Sequence, residues 1–266
     1  MELIEIFGYL GGLLIGLVLG LIGGGGSILT VPVLVYLLSV NPVTATAYSL
    51  FVVGSSSLVG AVRNFQKKRI GFRTALAFAI PAVISVFSTR KYIVPAIPGE
   101  IFHVEDFVFT KEIAIMIFFA VLMLLASFSM ILDREKLLEE VKETGRPNYR
   151  LLIPLGLVTG LVTGLVGAGG GFIIIPILVL LAGLPMKKAV GTSLFIIALN
   201  SLLGFLGDLG HQNIDWPFLL FFTALAIVGI FLGVYLNKFI DGRKLKKGFG
   251  WFVLIMGLYI LWKELF

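Results

Sequence analysis

The sequence predicts an all-α polytopic membrane protein made of two inverted-topology repeats of about five helical segments each, whose short Gly-interrupted helices meet near the midplane. Three observations predict this fold class. Hydrophobic residues make up 58% of the 266 residues and charged residues only 14%, with a mean hydropathy of +1.06, which is far outside the range of soluble proteins. Apolar stretches near the ~20 residues that span a bilayer recur along the chain. The chain also repeats itself.

The repeat relates a glycine-rich stretch in one half of the chain to a similar stretch in the other. Residues 16–32 read GLVLGLIGGGGSILTVP and residues 160–176 read GLVTGLVGAGGGFIIIP, so 9 of 17 positions are identical at a separation of 144. At the same separation Ser49 recurs as Ser193. A repeat of this length indicates two copies of one structural unit.

Each copy contains five apolar segments. In the first repeat, residues 1–132, we expect them at 6–22, 27–39, 43–64, 72–95 and 112–132. In the second repeat, residues 150–266, we expect them at 150–166, 172–183, 187–207, 216–237 and 247–264. The charged stretch 133–149 between the repeats is the predicted cytoplasmic linker.

Lysine and arginine are distributed unequally when the segments are placed alternately across the bilayer. One side receives 17 of the 21 basic residues. Cytoplasmic loops carry such an excess, so both termini are predicted to lie outside the cell (inner or plasma) membrane. The excess disappears if the short first pair of segments in each half makes a single crossing. The pair therefore either crosses twice or forms a re-entrant pair, and both alternatives turn the second copy upside down.

Consecutive glycines precede the second segment of each copy. We call residues 23–27 the first elbow and residues 167–171 the second elbow. The helix after each elbow is too short for the ~30 Å hydrocarbon core, and each glycine costs ~1 kcal/mol in a helix relative to alanine. Non-helical backbone at membrane depth must be buried in protein or line a wet cavity. Such paired interruptions in inverted halves mark transporter sites, so we expect the elbows to meet near the midplane.

The elbows favour an anion as ligand. Each leads directly into a helix, whose unpaired N–H groups and positive dipole end attract anions, and glycine allows a ligand to approach the backbone closely. Wider candidates on the third segments are Thr46, Tyr48, Ser55, Ser56, Ser57 and Ser201. The predicted substrate-binding residues are Gly23, Gly24, Gly25, Gly26, Ser27, Ser49, Gly167, Ala168, Gly169, Gly170, Gly171, Thr192, Ser193 and Asn200.

Structural roles stay open beside these functional ones. Glycines spaced four apart, such as Gly16 and Gly20 or Gly160 and Gly164, usually allow close helix packing. The consecutive glycines are also compatible with a tight turn that holds no ligand. Serine and threonine hydroxyls often bond to a carbonyl of their own helix.

Charged and ionisable residues narrow the function classes. Arg90 and Lys91, near the end of the fourth segment, are expected to snorkel to the outer interface rather than line an anion path. No acidic residue lies inside an apolar segment, and Asp208 stands at an end, so a proton relay through buried carboxylates is not supported. His103 and His211 have no metal-ligand spacing.

Several partners and chemistries are not expected. The chain has no cysteine, which excludes disulfides and thiolate metal sites. We expect no cofactor, no metal, no catalytic residue and no nucleic-acid partner, since orientation in the membrane explains the net charge of +6. The expected partners are membrane lipid and a small anion. A coupling ion, proton or sodium, and a homodimer stay open.

The two copies carry a family likeness. GLVTGLVGAGGGFIIIPILVLLAGLPMKKAVGTSLF in the second copy resembles the sulfite exporter TauE/SafE family of membrane transporters, and GLVLGLIGGGGSILTVPVLVYLLSVNPVTATAYSLF in the first is similar to its partner repeat. The resemblance implies an exporter of small sulfur-containing anions such as sulfite, sulfoacetate or other organosulfonates. Ser27 departs from the glycine expected there. The family motif covers Gly23, Gly25, Gly26, Ser27, Pro32, Gly167, Gly169, Gly170, Gly171, Pro176, Ala189, Gly191, Thr192 and Ser193.

Alternatives to a carrier remain. An anion channel with the same glycine-lined constriction would lack saturable uptake that is accelerated by counter-flow. A carrier of small carboxylates would use the same anion site. A membrane enzyme or an interaction scaffold would need catalytic or docking side chains in the bilayer, and the sequence offers none.

Cysteines introduced at residues 2 and 265 should react with a membrane-impermeant maleimide applied to the outer face, because both termini are predicted to be extracytoplasmic. The chain has no native cysteine, so labelling reports only the introduced thiols. Reaction from the cytoplasmic face alone would contradict the predicted orientation.

Overall fold

A computed structural model describes residues 3–22, 24–104, 107–132, 149–236, 239 and 242–265. Every one of the ten predicted apolar segments is helical, which confirms the all-α fold class. The predicted linker residues 133–148 and the elbow residue Gly23 lie outside the described residues.

The first half contains five helical segments and a short hairpin. Its first helix, α1, spans Leu3–Ile22. The second, α2, is a 3₁₀ stretch (Gly24–Leu29), a short α-helical stretch (Thr30–Pro32) and a π-helical stretch (Val33–Leu37). Helix α3 spans Pro42–Gln66, and α4 spans Phe72–Ser88 and continues as a π-helical stretch (Thr89–Ile93) and a last turn (Val94–Ala96). Strands β1 (Glu100–Val104) and β2 (Phe107–Thr110) precede α5 (Lys111–Ile131).

The second half contains five helices. These are α6 (Tyr149–Val166), α7 (Gly171–Leu180), α8 (Met186–Leu206), α9 (Trp216–Leu236) and α10 (Gly242–Leu265). Helix α7 is the short helix that follows the second elbow, as α2 follows the first.

Local sequence sets where the long helices begin. The Asn41 side chain caps α3 by accepting a hydrogen bond of 2.9 Å from the Val43 N–H, and Pro42 occupies the first turn, where its missing N–H costs nothing. The Asp215 carboxylate likewise accepts a bond of 3.1 Å from the Phe218 N–H at the start of α9.

Six helices in the described part of the chain are long and apolar enough to cross a membrane, three in each half. They are α3, α4 with its extension, α5, α8, α9 and most of α10. The first two segments of each half contribute shorter apolar helices, Leu10–Leu21, Gly26–Leu37, Arg150–Val166 and Gly171–Leu180. The chain is therefore a multi-pass membrane protein.

Two seams of glycine join the halves. Helix α1 packs along α9, and α6 packs along α4. A β-carbon on Gly16 would lie 1.9 Å from the carbonyl oxygen of Ala226, and one on Gly160 would lie 2.3 Å from that of Ala82. The packing role of these glycines is thereby confirmed, because only a residue without a side chain allows such close backbone contact.

The remaining helix pairs also join a helix of one half to a helix of the other half. Helix α3 packs against its counterpart α8, and α5 packs against its counterpart α10. The Gly71 N–H donates a bond of 3.0 Å to the Thr192 hydroxyl, and the Asp215 N–H donates a bond of 2.7 Å to the Tyr48 hydroxyl. The two bonds are equivalent in the repeat, because Gly71 corresponds to Asp215 and Tyr48 to Thr192 at the separation of 144. In each bond the N–H belongs to one half and the hydroxyl to the other. The inverted orientation in a bilayer stays a prediction that this arrangement supports.

The stretch before α5 has no counterpart in the second half. Strands β1 and β2 form an antiparallel hairpin in which Glu100 pairs with Thr110 and Phe102 with Phe109. The rings of Phe102 and Phe109 stack with their centroids 4.6 Å apart. This hairpin is an addition to the repeated unit.

Replacing Gly16 by alanine should lower the free energy of unfolding by about 2 kcal/mol, as overpacking of a tight contact does. Gly248→Ala is the matched control, because a β-carbon at this exposed helical position meets nothing within 4 Å. Thermal unfolding of both variants in detergent measures the difference. Equal melting temperatures would show that the α1–α9 seam does not need its glycine.

Candidate functional site

The two elbows are in direct contact. The Ser27 hydroxyl, at the end of the first elbow, donates a hydrogen bond to the carbonyl oxygen of Ala168 in the second. The 3₁₀ stretch that contains Gly24, Gly25 and Gly26 also packs against α7. The structure therefore brings together the glycine stretches that the repeat singled out.

The second elbow has a backbone that requires glycine. Gly167, Gly169 and Gly170 have φ of 73°, 67° and 69°, a left-handed conformation that residues with a β-carbon rarely adopt. A β-carbon on Gly170 would also lie 2.6 Å from the hydroxyl of Thr163. Side chains are thus excluded at these three positions by both conformation and space.

Two serines of the first half hold the carbonyl groups of the second elbow. The Ser49 hydroxyl donates a bond of 2.7 Å to the Gly167 carbonyl oxygen, and the Ser27 hydroxyl donates to that of Ala168. In a trans peptide the N–H points opposite to the carbonyl of the same unit. The N–H groups of Ala168 and Gly169 therefore point away from these serines.

A run of N–H groups stays available in this elbow. In the described part of the chain, no acceptor is bonded to the N–H groups of residues 168–172. They include the first N–H groups of α7, where the positive end of the helix dipole lies. Successive N–H groups around left-handed residues form an anion-binding concavity.

The first elbow is built differently. Gly26 has no positive φ, and a β-carbon on it would lie 2.6 Å from the backbone nitrogen of Leu19. Its glycines therefore allow a tight 3₁₀ turn to pack on α1. Ser27, which departs from the family pattern, uses its side chain to reach the other elbow. The two elbows are equivalent in sequence but play different structural roles.

Buried polar side chains surround the second elbow. Asn200 and Ser201 on α8 are 0% exposed, and among the described residues neither amide atom of Asn200 nor the Ser201 hydroxyl has a hydrogen-bond partner. The Ser201 hydroxyl lies 3.5 Å from the point where a β-carbon of Gly169 would stand. The Thr163 hydroxyl, next to Gly170, is likewise without a partner in the described residues.

The repeat adds two residues to this polar set. Ser56 and Ser57 on α3 are the equivalents of Asn200 and Ser201 at the separation of 144. Their hydroxyls are fully buried and also lack a partner within the part of the chain described here. Unpaired buried polar groups are rare, because each costs about 1–3 kcal/mol. The two equivalent pairs lie on the packed helices α3 and α8 and form a buried polar region.

Two predicted site residues are engaged elsewhere. The Thr192 hydroxyl accepts the bond from the Gly71 N–H at the start of α4. The Ser193 hydroxyl donates a bond of 2.9 Å to the Val190 carbonyl of its own helix. Ser49 and Ser193 are equivalent in sequence, yet their hydroxyls donate to different partners, the Gly167 carbonyl of the elbow and the Val190 carbonyl of the same helix.

The expectation that Arg90 snorkels to the outer interface is wrong. Its side chain is 0% exposed, and its Nη1 lies 3.6 Å from a carboxylate oxygen of Asp208, which is itself 2% exposed. Nη1 also donates a bond of 3.0 Å to the Thr46 hydroxyl. No sequence pattern predicts this pair, because the two residues come together through tertiary packing. Lys91 is exposed, with its ammonium 5.5 Å from the centroid of the Phe87 ring.

Comparison with known proteins gives a consistent result. The family model described as Sulfite exporter TauE/SafE matches residues 9–260 of the chain. A "Probable membrane transporter protein" of Xylella fastidiosa (strain 9a5c) is 28% identical over 255 residues, which cover 94% of this chain and 92% of that protein. No solved structure is significantly similar to the chain.

Further relatives are of the same kind. The "Probable membrane transporter protein YunE" of Bacillus subtilis (strain 168) is 26% identical, with 96% of each chain covered. A "Probable membrane transporter protein" of Haemophilus influenzae is 26% identical, covering 95% of this chain and 96% of that one.

Replacing Ser49 by alanine should lower the free energy of unfolding by about 1–3 kcal/mol, because it leaves the buried Gly167 carbonyl without its donor. Ser193→Ala at the equivalent position is the control, since its hydroxyl bonds only within its own helix and its loss should cost little. Thermal unfolding in detergent compares the two. A larger effect of Ser193→Ala would contradict the bracing role of Ser49.

Proposed function

This chain belongs to the sulfite exporter TauE/SafE family, and we propose that it carries small sulfur-containing anions across the cell membrane, binding them at the second elbow. It is a multi-pass membrane transporter, as the family and its relatives indicate. The proposal concerns the cargo, the binding mode and the outward direction.

The observation that carries the proposal is the arrangement of the second elbow. Its carbonyl groups at Gly167 and Ala168 are held by Ser49 and Ser27, while the N–H groups of residues 168–172 have no acceptor in the described residues. A turn that has its acceptors occupied and its donors available favours an anion over a cation or a neutral solute. The positive end of α7 adds to the attraction.

The neighbouring side chains fit an oxyanion. Ser201 provides a hydroxyl beside Gly169, and Thr163 provides a hydroxyl beside Gly170. Asn200, the residue before Ser201 on α8, adds a buried amide that has no partner among the described residues. Sulfite and sulfonate groups carry three oxygens that accept hydrogen bonds in three directions. A ring of donors from the backbone and from two helices can therefore replace the hydration shell of such an anion.

The packing of the halves suits alternating access. The glycine seams hold α1 to α9 and α6 to α4, so each seam moves as a unit that contains helices of both halves. The elbows connect these units to the central helices α3 and α8. Small rotations of the seam units would open the elbow region to one side of the membrane at a time, as in transporters built from inverted repeats.

A flux screen of the purified protein in liposomes tests the proposed cargo. We expect saturable, counter-flow-accelerated uptake of sulfite or an organosulfonate, measured beside thiosulfate, sulfate, sulfoacetate, taurine and small carboxylates. Unsaturable conductance would instead indicate a channel, and preference for carboxylates would reassign the cargo.

Replacing Gly170 by valine should reduce anion flux about 30-fold, because the side chain removes two hydrogen bonds of ~1 kcal/mol each to the anion. Gly183→Val is the control for backbone strain, since Gly183 has a similar φ of 63° in the loop between α7 and α8. Size-exclusion chromatography checks that both variants fold. Normal flux in folded Gly170→Val protein would disprove binding at the elbow backbone.

A further inference from the structure

We propose that the Arg90 guanidinium is a second anion-coordinating group, beside the second elbow, and that the Asp208 carboxylate occupies it when no substrate is bound. The ligand class is a small oxyanion. This inference rests on the proposed function for the identity of that anion. It adds a positively charged binding group, Arg90, which we call the anion station, and a carboxylate, Asp208, that competes with the anion for it.

The ion pair between Arg90 and Asp208 is incomplete. A guanidinium usually binds a carboxylate through two parallel hydrogen bonds of about 2.7–2.9 Å, whereas here the nearest approach of Nη1 to the carboxylate is 3.6 Å. Among the residues that the structure describes, the guanidinium makes one hydrogen bond, from Nη1 to the Thr46 hydroxyl. Within the described residues, Nε and Nη2 of Arg90 and Oδ2 of Asp208 have no partner.

The unused donors are those that recognise oxyanions. Nε and Nη2 form one edge of the guanidinium fork, and two such donors match two oxygens of a carboxylate, sulfite or sulfonate. The side chain is fully buried, where an uncompensated charge is costly and a bound anion is therefore strongly favoured. A loosely held aspartate leaves this edge for a third partner.

Arg90 lies next to the elbow through two sets of contacts. Thr46, which accepts from Nη1, places its backbone against Gly167, where a β-carbon would lie 2.4 Å from the Thr46 carbonyl oxygen. Thr89, the preceding residue, packs on Gly164, where a β-carbon would lie 2.7 Å from the Thr89 β-carbon. Thr46 thus links the guanidinium to the elbow, since its hydroxyl accepts from Nη1 and its backbone contacts Gly167.

The position of Asp208 explains how a bound anion is released from Arg90. Asp208 follows α8, the helix that carries Asn200 and Ser201, and Gly207 packs against the β-carbon of Arg90. A substrate anion on Arg90 displaces the carboxylate, and the carboxylate returns when the anion leaves. The aspartate then competes with the substrate and promotes its release.

Four variants of the full-length protein, Arg90→Gln, Asp208→Asn, the double variant and Lys91→Gln, test the proposal. Sulfite flux into liposomes and the sulfite-induced shift in melting temperature are measured for each. Asp208→Asn should lower the half-saturating sulfite concentration about threefold or more, because it removes the competing carboxylate. The double variant should raise it about tenfold, the effect of losing a charge-assisted hydrogen bond. Lys91→Gln, which changes an exposed neighbour, should match the wild type.

The double variant separates binding from folding, because it removes both buried charges and leaves neither uncompensated. If the pair is only structural, the double variant will fold and bind sulfite like the wild type, and the proposal is overturned. If sulfite shifts the melting temperature of the wild type in an Arg90-dependent way but no flux is measured, the proposed transport is refuted and anion binding at Arg90 is supported. No sulfite-induced shift in the wild type would overturn both.

Discussion

Backbone groups released from helical bonding inside a membrane must find partners within the protein, because hydrocarbon offers none. The second elbow meets this constraint in two ways. Its carbonyl groups receive hydroxyl donors from the opposite half, and its N–H groups are left facing away from those donors. The same constraint that makes the elbow difficult to build therefore leaves donors rather than acceptors available, which is the basis for proposing an anion as its ligand.

This division of roles depends on the two halves being different at matching positions. Ser27 and Ser49 in the first half both act on the elbow of the second half. Their equivalents in the second half, Gly171 and Ser193, make no matching hydrogen bonds in the described residues. Gly171 has no side chain, and the Ser193 hydroxyl donates to a carbonyl of its own helix. A symmetric frame thus carries an asymmetric site, with one elbow as a brace and the other as the proposed binding turn.

Much of the fold follows from the sequence, because the signals that set it are local or periodic. Segment length, glycine spacing and the repeat predicted ten helices, the glycine seams and the contact between the elbows. The hairpin before α5 could not be predicted, since it has no counterpart in the repeat and its pairing is a tertiary outcome. Thr192 was selected as a polar residue near the turns and as part of the family motif, but its hydroxyl accepts a hydrogen bond from the Gly71 N–H at the start of α4.

The sequence predicted the unusual backbone turns of the candidate site better than it predicted the surroundings of the charged residues. Consecutive glycines indicate an unusual turn by themselves, whereas the binding role predicted for Asn200 stays a prediction. Arg90 and Asp208 were misjudged because each lies near a helix end, where solvent or lipid headgroups are the ordinary surroundings. Only the packing of the π-helical stretch of α4 against the end of α8 buries both.

The glycine seams have a consequence for how such a chain is assembled. Each half contains a helix, α1 or α6, whose glycine ladder packs against a helix of the other half. A polypeptide severed between Ile131 and Tyr149 would thus yield two fragments, each exposing a glycine-lined helix face that fits the other fragment. Neither fragment would complete its fold alone. Each fragment would serve as the template on which the other completes its fold.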